Sequence, residues 1–98
     1  MPPVILINPF EVPQGQEADC LAFWEKAAAF MKQQPGFIAT RLHQALSPEA
    51  RFDFINIAEW QSAADFQAAV GSDEFKRIIE PFMEVFPHYP CLYEVIRT

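Results

Sequence analysis

The chain is poor in positive charge and in cysteine, and each shortage removes a class of function. It has seven Lys and Arg against thirteen Asp and Glu, which gives a formal net charge of -6. A surface of that sign repels the phosphates of nucleic acids and of anionic lipids, so we expect no nucleic-acid partner and no membrane partner. Two cysteines, Cys20 and Cys91, are too few for a disulfide framework and are typical of a reduced, cytoplasmic protein.

Long apolar runs and short catalytic motifs are also missing. The apolar run from Val4 to Ile7 is too short and lacks the basic flank of a signal peptide, and nothing approaches the roughly 20 apolar residues of a membrane-spanning helix. Two separated histidines do not have the spacing of a metal site. No phosphate-binding loop and no nucleophile elbow is present, so no metal and no nucleotide cofactor is expected.

Aromatic residues, in contrast, are abundant for a chain of this size. The 98 residues suffice for one domain, 1–98, and 51% of them are hydrophobic, including ten Phe, two Trp and two Tyr. A chain this short buries only about two-thirds of its unfolded surface. We therefore expect some aromatic surface to be covered by a second copy in a homodimer; the alternative is a monomer with an unusually aromatic core.

The hydrophobic pattern predicts four strands and three helical segments. The first half contains a strand at 4–12, a long helix at 16–34, and two strands joined as a hairpin at 37–46 and 52–60. Two consecutive helices follow at 62–70 and from 72 to about 83, and a last strand lies at 91–97. The order β-α-β-β-α-β predicts an α+β, ferredoxin-like fold with a four-stranded antiparallel sheet. Right-handed crossovers place all helices on one face of the sheet, which leaves the other face for a second copy.

Alternation along the second strand separates polar groups onto two faces. Thr40 and Leu42 face one way, whereas Arg41 and His43 share the opposite face. Arg41 and His43 could together bind an anionic oxygen, with His43 as general base; the alternative is an exposed or dimer-facing polar pair. His88, in a proline-rich loop, could gate a pocket or simply be a solvated loop residue.

The tract that joins the third strand to the later helices has the most distinctive pattern. The strand ends at Trp60, Ser62 caps the following helix, Phe66 lies on that helix, and Ser72 opens another helix shortly afterwards. This strand–Trp–x–Ser–helix–helix pattern resembles the antibiotic biosynthesis monooxygenase family, whose members pair as dimeric α/β barrels. The resemblance covers nearly the whole chain.

The resemblance implies a cofactor-independent monooxygenase that acts on a small, flat, phenol-like or quinol-like molecule. Such an enzyme needs no cofactor because the deprotonated substrate itself reduces oxygen, and the protein supplies a dry pocket and a fixed orientation. One alternative is a non-enzymatic homodimer that binds a small hydrophobic ligand. Another is a structural dimer without a ligand.

The haem-degrading branch of the same family provides an internal comparison. Its members use an asparagine on the first strand, with a tryptophan and a haem-ligating histidine on the later helices. Asn8 matches the asparagine, but Ala69 and Ile79 fall where the tryptophan and the histidine should be. Without an axial nitrogen ligand the iron is not held in the usual way, so haem degradation is not expected.

Four residues are candidates for a site on the helix side of the sheet. The Asn8 amide could hold a phenol or peroxide oxygen as a catalytic group, or it could satisfy the local backbone beside Pro9. Trp60 could stack on a flat substrate and donate its indole N–H. Phe66 and Trp24 could contact the same substrate, although core packing is the alternative for all three aromatic residues. Because Pro9 is expected to loosen the strand, a cavity is predicted beside Asn8 and Trp60.

Overall fold

The computed structural model describes residues 2–98. It contains four strands, three α-helices and a short 3₁₀ turn, Glu80–Phe82, that follows the last α-helix. In chain order the elements are β1 (Val4–Phe10), α1 (Glu17–Met31), β2 (Phe37–Gln44), β3 (Phe54–Trp60), α2 (Ala63–Val70), α3 (Asp73–Ile79) and β4 (Cys91–Tyr93). The predicted βαββαβ order and the ferredoxin-like α+β fold are confirmed.

The sheet is antiparallel throughout, in the order β2-β3-β1-β4. Successive side chains of β1 point to opposite faces of the sheet. Leu6 and Phe10 are buried under the helices, and Asn8 lies between them on the same side. Ile5 and Ile7 lie on the opposite side, which no helix of residues 2–98 covers and which we name the helix-free face.

β1 remains paired through Pro9, so the expected weakening of the strand is wrong. Pro9 lies opposite Ile55 of β3, and its carbonyl accepts the Tyr89 N–H at 3.2 Å. In an antiparallel strand the N–H and C=O of one residue point to the same neighbour. The donor that proline lacks would therefore point towards Tyr89 rather than β3, and the β1–β3 ladder continues to Phe10.

Serine caps begin the two short helices, as predicted. The Ser62 hydroxyl accepts the Asp65 N–H at 3.1 Å, and the Ser72 hydroxyl accepts the Phe75 N–H at 3.2 Å. α3 ends at Ile79, because Pro81, a residue that predicts a kink or an early end of this helix, cannot continue an α-helix and lies in the 3₁₀ turn. β1, α1 and β2 end two or three residues before their predicted limits, whereas β3 begins two residues late and ends at Trp60 as predicted.

β4 is much shorter than predicted because it has no partner beyond its third residue. Tyr93 pairs with Ile5, and the same register would place Glu94 opposite Val4, so the residues after Glu94 pass beyond the start of β1. The end of the chain is consequently exposed, with Val95 at 66% and Ile96 at 75% of their full accessibility.

Gly36 makes the close connection between α1 and β2. Its φ of +84° is in the left-handed region that favours glycine, and its carbonyl accepts the Gln61 N–H at 2.7 Å. A side chain at this position would collide with the Asp65 carboxylate. Glycine therefore allows the start of β2 to lie against the beginning of α2, directly after Trp60.

Two buried clusters form the core between the sheet and the helices. The phenylalanine cluster consists of Phe10, Cys20, Phe23, Phe54 and Phe86. The tryptophan cluster consists of Leu6, Ala58, Trp60 and Ala69. Members of both clusters line one cavity, which therefore lies between the two clusters.

Candidate functional site

A cavity of about 240 Å³ lies between the sheet and the helices. Its walls are mostly aliphatic and aromatic side chains from α1, α2, α3 and the helix side of the sheet. The polar contributions come from a few residues only: Asn8, Thr40, Asn56, the indole of Trp60, and His88. A mostly apolar concavity with a small number of polar groups is the usual composition of a small-molecule site.

Two asparagines lie opposite each other across the centre of the sheet, but only one has a side-chain partner in the described part of the chain. Asn8 of β1 pairs in register with Asn56 of β3, and the Thr40 hydroxyl donates to Asn56 Oδ1 at 2.5 Å. Asn8 Oδ1 is buried and accepts no hydrogen bond from the residues that the structure describes. An unsatisfied buried acceptor costs about 1–3 kcal/mol, which a ligand donor would recover.

Trp60 is held edge-on by two phenylalanine rings. Its ring centroid is 5.4 Å from that of Phe37, with the planes at 89°, and 5.6 Å from that of Phe66, with the planes at 73°. The residue is only 1% exposed, so it packs in the core and lines the cavity at the same time. Its Nε1 is a second buried polar atom without a partner within residues 2–98.

The structure brings four of the six predicted site residues to one cavity and leaves two apart. Asn8, Trp60, Phe66 and Trp24 all line it. Arg41 and His43 do not, and the reason is strand alternation: after the irregularity between Phe37 and Ala39, the odd-numbered residues of β2 point away from the helices.

Arg41 and His43 are exposed on the helix-free face, where His43 Nδ1 lies 3.3 Å from the Ile55 carbonyl oxygen. Within one chain the sheet therefore separates both side chains from the cavity. Neither residue enters the site proposed below.

Three polar residues that line the cavity were not among the predicted site residues. Asn56 and Thr40 could have been found by the period of two, because Asn56 shares a face with Trp60, and Thr40 is on the β2 face opposite to that of Arg41. His88 had no periodic signal, because it lies in the segment between α3 and β4.

His88 is fixed in one orientation by two contacts. Its ring stacks on Phe10 with centroids 5.3 Å apart and planes at 27°, and its Nδ1 lies 2.9 Å from the Phe86 carbonyl oxygen. A carbonyl oxygen can only accept, so Nδ1 is the protonated nitrogen of the neutral ring. Nε2 then keeps its lone pair.

Cys20 contributes apolar bulk beside the cavity rather than a reactive thiol. It is 1% exposed, and burial, with a smaller effect of the Asp53 charge, raises its pKa from 9.0 to about 11. Within residues 2–98 no group of three or more His, Cys, Asp or Glu side chains is placed to hold a metal ion. No helix in this part of the chain is long and apolar enough to cross a membrane.

The fold and the cavity define a class: a small ferredoxin-like domain with an apolar, amide-bearing site on the helix side of its sheet. The model of the antibiotic biosynthesis monooxygenase family matches residues 3–81. The chain belongs to this family.

Solved structures of similar proteins agree with this assignment. A candidate monooxygenase from Shewanella loihica PV-4 is 42% identical, with a TM-score of 0.84 over 98% of this chain and 96% of that one. SnoaB from Streptomyces nogalater, a cofactor-independent oxygenase, shares the fold, with 23% identity and a TM-score of 0.85 over 100% of this chain and 97% of that one. A search of curated proteins finds no match to the chain.

Proposed function

We propose that the protein is a cofactor-independent monooxygenase that binds a small phenol-like or quinol-like ring in this cavity. The observation that carries the proposal is the pair of unsatisfied buried atoms, Asn8 Oδ1 and Trp60 Nε1, on two side chains that line an otherwise apolar space. One atom accepts and the other donates. A ligand with a hydroxyl group and a second oxygen matches both, whereas a pure hydrocarbon matches neither.

The size of the cavity limits the substrate to a compact ring system. Sites for drug-sized ligands measure about 300–1,000 Å³, and this cavity is smaller, at about 240 Å³. The aromatic side chains of Trp60, Phe66 and Trp24 line it and favour a flat ring over a branched aliphatic molecule. The terminal torsion of an asparagine is broad, so the Asn8 amide can turn towards a bound oxygen atom.

The chemistry follows from the substrate and not from a resident group. A phenol with a free para position takes up one O₂ and yields a quinone and one water, so that all atoms balance. The phenolate gives an electron to O₂, the two radicals combine as a ring peroxide, and loss of water leaves the new carbonyl. The protein supplies orientation and a dry environment.

Oxygen uptake tests this proposal. A panel of phenols and quinols is offered to the protein in an oxygen electrode, with and without a metal chelator, and chelator-resistant uptake is expected for compact rings. Asn8→Leu, which keeps the approximate volume, should abolish uptake. It should leave the free energy of unfolding equal or higher, because it removes an unsatisfied polar group.

Asn8→Asp provides the matched comparison, because it keeps the Oδ1 acceptor. Uptake that survives in Asn8→Leu at the wild-type rate per folded molecule would contradict the assignment of Asn8. An absence of uptake with every ring, together with saturable quenching of tryptophan fluorescence, would favour the alternative of a non-enzymatic binding protein. Both tryptophans line the cavity, so fluorescence reports on it directly.

We also propose that the protein is a homodimer through its helix-free face. That face carries Ile5, Ile7, Ile55 and Ile57, with Tyr93 exposed at 51% on β4. A second copy is the occupant that fits, because the same face also has Arg41 and Glu59, exposed charges of opposite sign that a two-fold axis can pair.

Light scattering tests the assembly. Wild-type protein should have twice the mass of one chain at micromolar concentration, and Ile57→Lys should have the mass of one chain. Leu46→Lys is the control, because Leu46 is fully exposed at the end of the hairpin. A wild-type monomer would contradict the dimer.

A further inference from the structure

We propose that His88 is the base that removes the proton from the ring hydroxyl of the substrate. The inference rests on the proposed function and adds to it a residue that neither the strand pattern nor the family resemblance singled out. It also narrows the substrate class to rings with an ionisable hydroxyl group.

The backbone around His88 is an extension of the sheet and not a free loop. Phe10 and His88 form an antiparallel bridge, the Glu11 N–H donates to the Pro87 carbonyl at 2.8 Å, and the Tyr89 N–H donates to the Pro9 carbonyl at 3.2 Å. Prolines at 87 and 90 restrict the chain on both sides of this short segment. A side chain presented in this way is held on a rigid element, as positioned catalytic groups require.

The contacts of the side chain leave one ring nitrogen available as a base. In a neutral ring, the contact between Nδ1 and the Phe86 carbonyl oxygen selects the tautomer that is protonated at Nδ1, and stacking on Phe10 fixes the plane of the ring. The nitrogen with the free lone pair is Nε2. With Nδ1 bonded to a backbone acceptor, Nε2 is the nitrogen that can take a proton from a ligand.

Among the residues that the structure describes, His88 is the one titratable side chain that lines the cavity. Glu11, directly after β1, is the carboxylate whose backbone bonds to the segment of His88. It is engaged elsewhere, since its Oε1 accepts from Arg51 at 2.9 Å and its Oε2 accepts from the Tyr89 hydroxyl at 3.3 Å. His88 is therefore the side chain that we assign to general-base catalysis in this cavity.

The register of the sheet relates His88 to Asn8. Continuing the β1–β4 pairing from Ile7 and Cys91 places Pro90 opposite Asn8, and the bridge places His88 opposite Phe10. His88 and Asn8 are therefore diagonal neighbours on the same face of the sheet, and residues in such positions are typically about 7 Å apart between their Cα atoms. One ring oxygen can lie between a diagonal pair at that spacing.

The step itself is a single proton transfer. The phenolic O–H bond breaks, the proton moves to Nε2, and the electron pair stays on the oxygen, which becomes a phenolate beside an imidazolium. The two opposite charges stabilise each other in an apolar environment. The phenolate is the species that then reduces O₂.

A nitrophenol tests the step without turnover, because only its ionised form absorbs strongly in visible light. 4-Nitrophenol is titrated with wild-type protein at a pH at which the free compound is mostly neutral. The bound compound is expected to show the phenolate band. In His88→Phe, which keeps an aromatic ring against Phe10, it should bind with its ionised fraction lowered by about tenfold or more.

His43→Phe distinguishes the two histidines of the chain and should behave as wild type in this titration. His88→Gln is a second variant for use if the His88→Phe protein does not fold, and circular dichroism checks the folding of both. Nitrogen chemical shifts of the wild-type imidazoles give an independent readout, and His88 should show the tautomer protonated at Nδ1.

The outcomes separate the two proposals. Binding of nitrophenol without the phenolate band, or an unchanged band in both His88 variants, overturns His88 as the base and leaves the phenol site standing. Loss of the band in His43→Phe alone assigns the base to His43. No binding at all by the wild-type protein overturns the phenol site and this inference with it.

Discussion

The Thr40 hydroxyl and the Asn56 amide are joined across β2 and β3 by a hydrogen bond of 2.5 Å, and Asn56 lies opposite Asn8 on β1. Three polar side chains thus cross the sheet in sequence on the side that faces the cavity. Thr40 and Asn56 are hydrogen-bonded to each other, and Asn8 keeps a buried acceptor oxygen without a partner in residues 2–98.

Thr40→Val should destabilise the protein by about 1 kcal/mol, because it removes the hydroxyl donor to Asn56 Oδ1 while keeping the shape of the side chain. Urea unfolding measures the change. Thr98→Val is the control, since Thr98 is exposed at the end of the chain and no side-chain bond to it occurs in residues 2–98. Equal stability of the two variants would show that the Thr40–Asn56 bond contributes nothing.

Alkaline pH should destabilise the protein through Cys20. The unfolded thiol ionises near 9.0, whereas burial keeps the folded thiol protonated until its pKa of about 11. Between these values the folded state binds more protons, so the free energy of unfolding falls by about 1 kcal/mol per pH unit above pH 9.

The slope of stability against pH measures this effect. Cys20→Ala should remove the extra slope between pH 9 and 11, and Cys91→Ala should retain it, although Cys20→Ala also lowers stability at every pH by leaving a void. Identical slopes for both variants would contradict the prediction. Wild-type protein is the reference for the slope, because Cys91→Ala also alters Tyr93, whose pKa Cys91 raises through a side-chain hydrogen bond.

Labelling of Cys91 should depend on protein concentration. Cys91 is exposed in one chain and lies on the helix-free face, so dimerisation would cover it. A thiol reagent should modify Cys91 quickly in dilute protein and slowly in concentrated protein, and should reach Cys20 only on unfolding. A rate that is the same at all concentrations would speak against that interface.

Haem should not form a stoichiometric complex with a histidine-ligated spectrum. Ala69 is buried in the tryptophan cluster, and Ile79, which lines the cavity, has no lone pair to offer iron. A haem titration followed in the Soret region measures this. A histidine-type spectrum would contradict the prediction, and its loss in His88→Phe or in His43→Phe would identify the ligand.

Local chemistry was sufficient to predict most of the fold. Ser62 and Ser72 are helix caps because their hydroxyls satisfy free N–H groups a few residues along, and that requirement can be read without knowing any tertiary contact. The alternation in β2 likewise predicted that Arg41 and His43 would share a face. It did not show which face the helices would cover, and this decided that both residues lie outside the cavity.

Features that depend on distant pairing could not be predicted in this way. β4 ends at Tyr93 because β1 begins at Val4, which is a property of register and not of the residues after Tyr93. His88 enters the site for the same reason: its bridge to Phe10 joins segments far apart in the chain. The effect of Pro9 on β1 also depends on distant pairing, because the direction of its missing donor matters only once it is known which strand lies on each side.

The alternation of β1 has a consequence for how such a protein can change over evolutionary time. Leu6, Asn8 and Phe10 face the cavity, while Ile5 and Ile7 face the opposite side. Substitutions at even positions can alter what the protein recognises without disturbing the outer face, and substitutions at odd positions can do the reverse. One strand of seven residues therefore carries two traits that selection can modify independently.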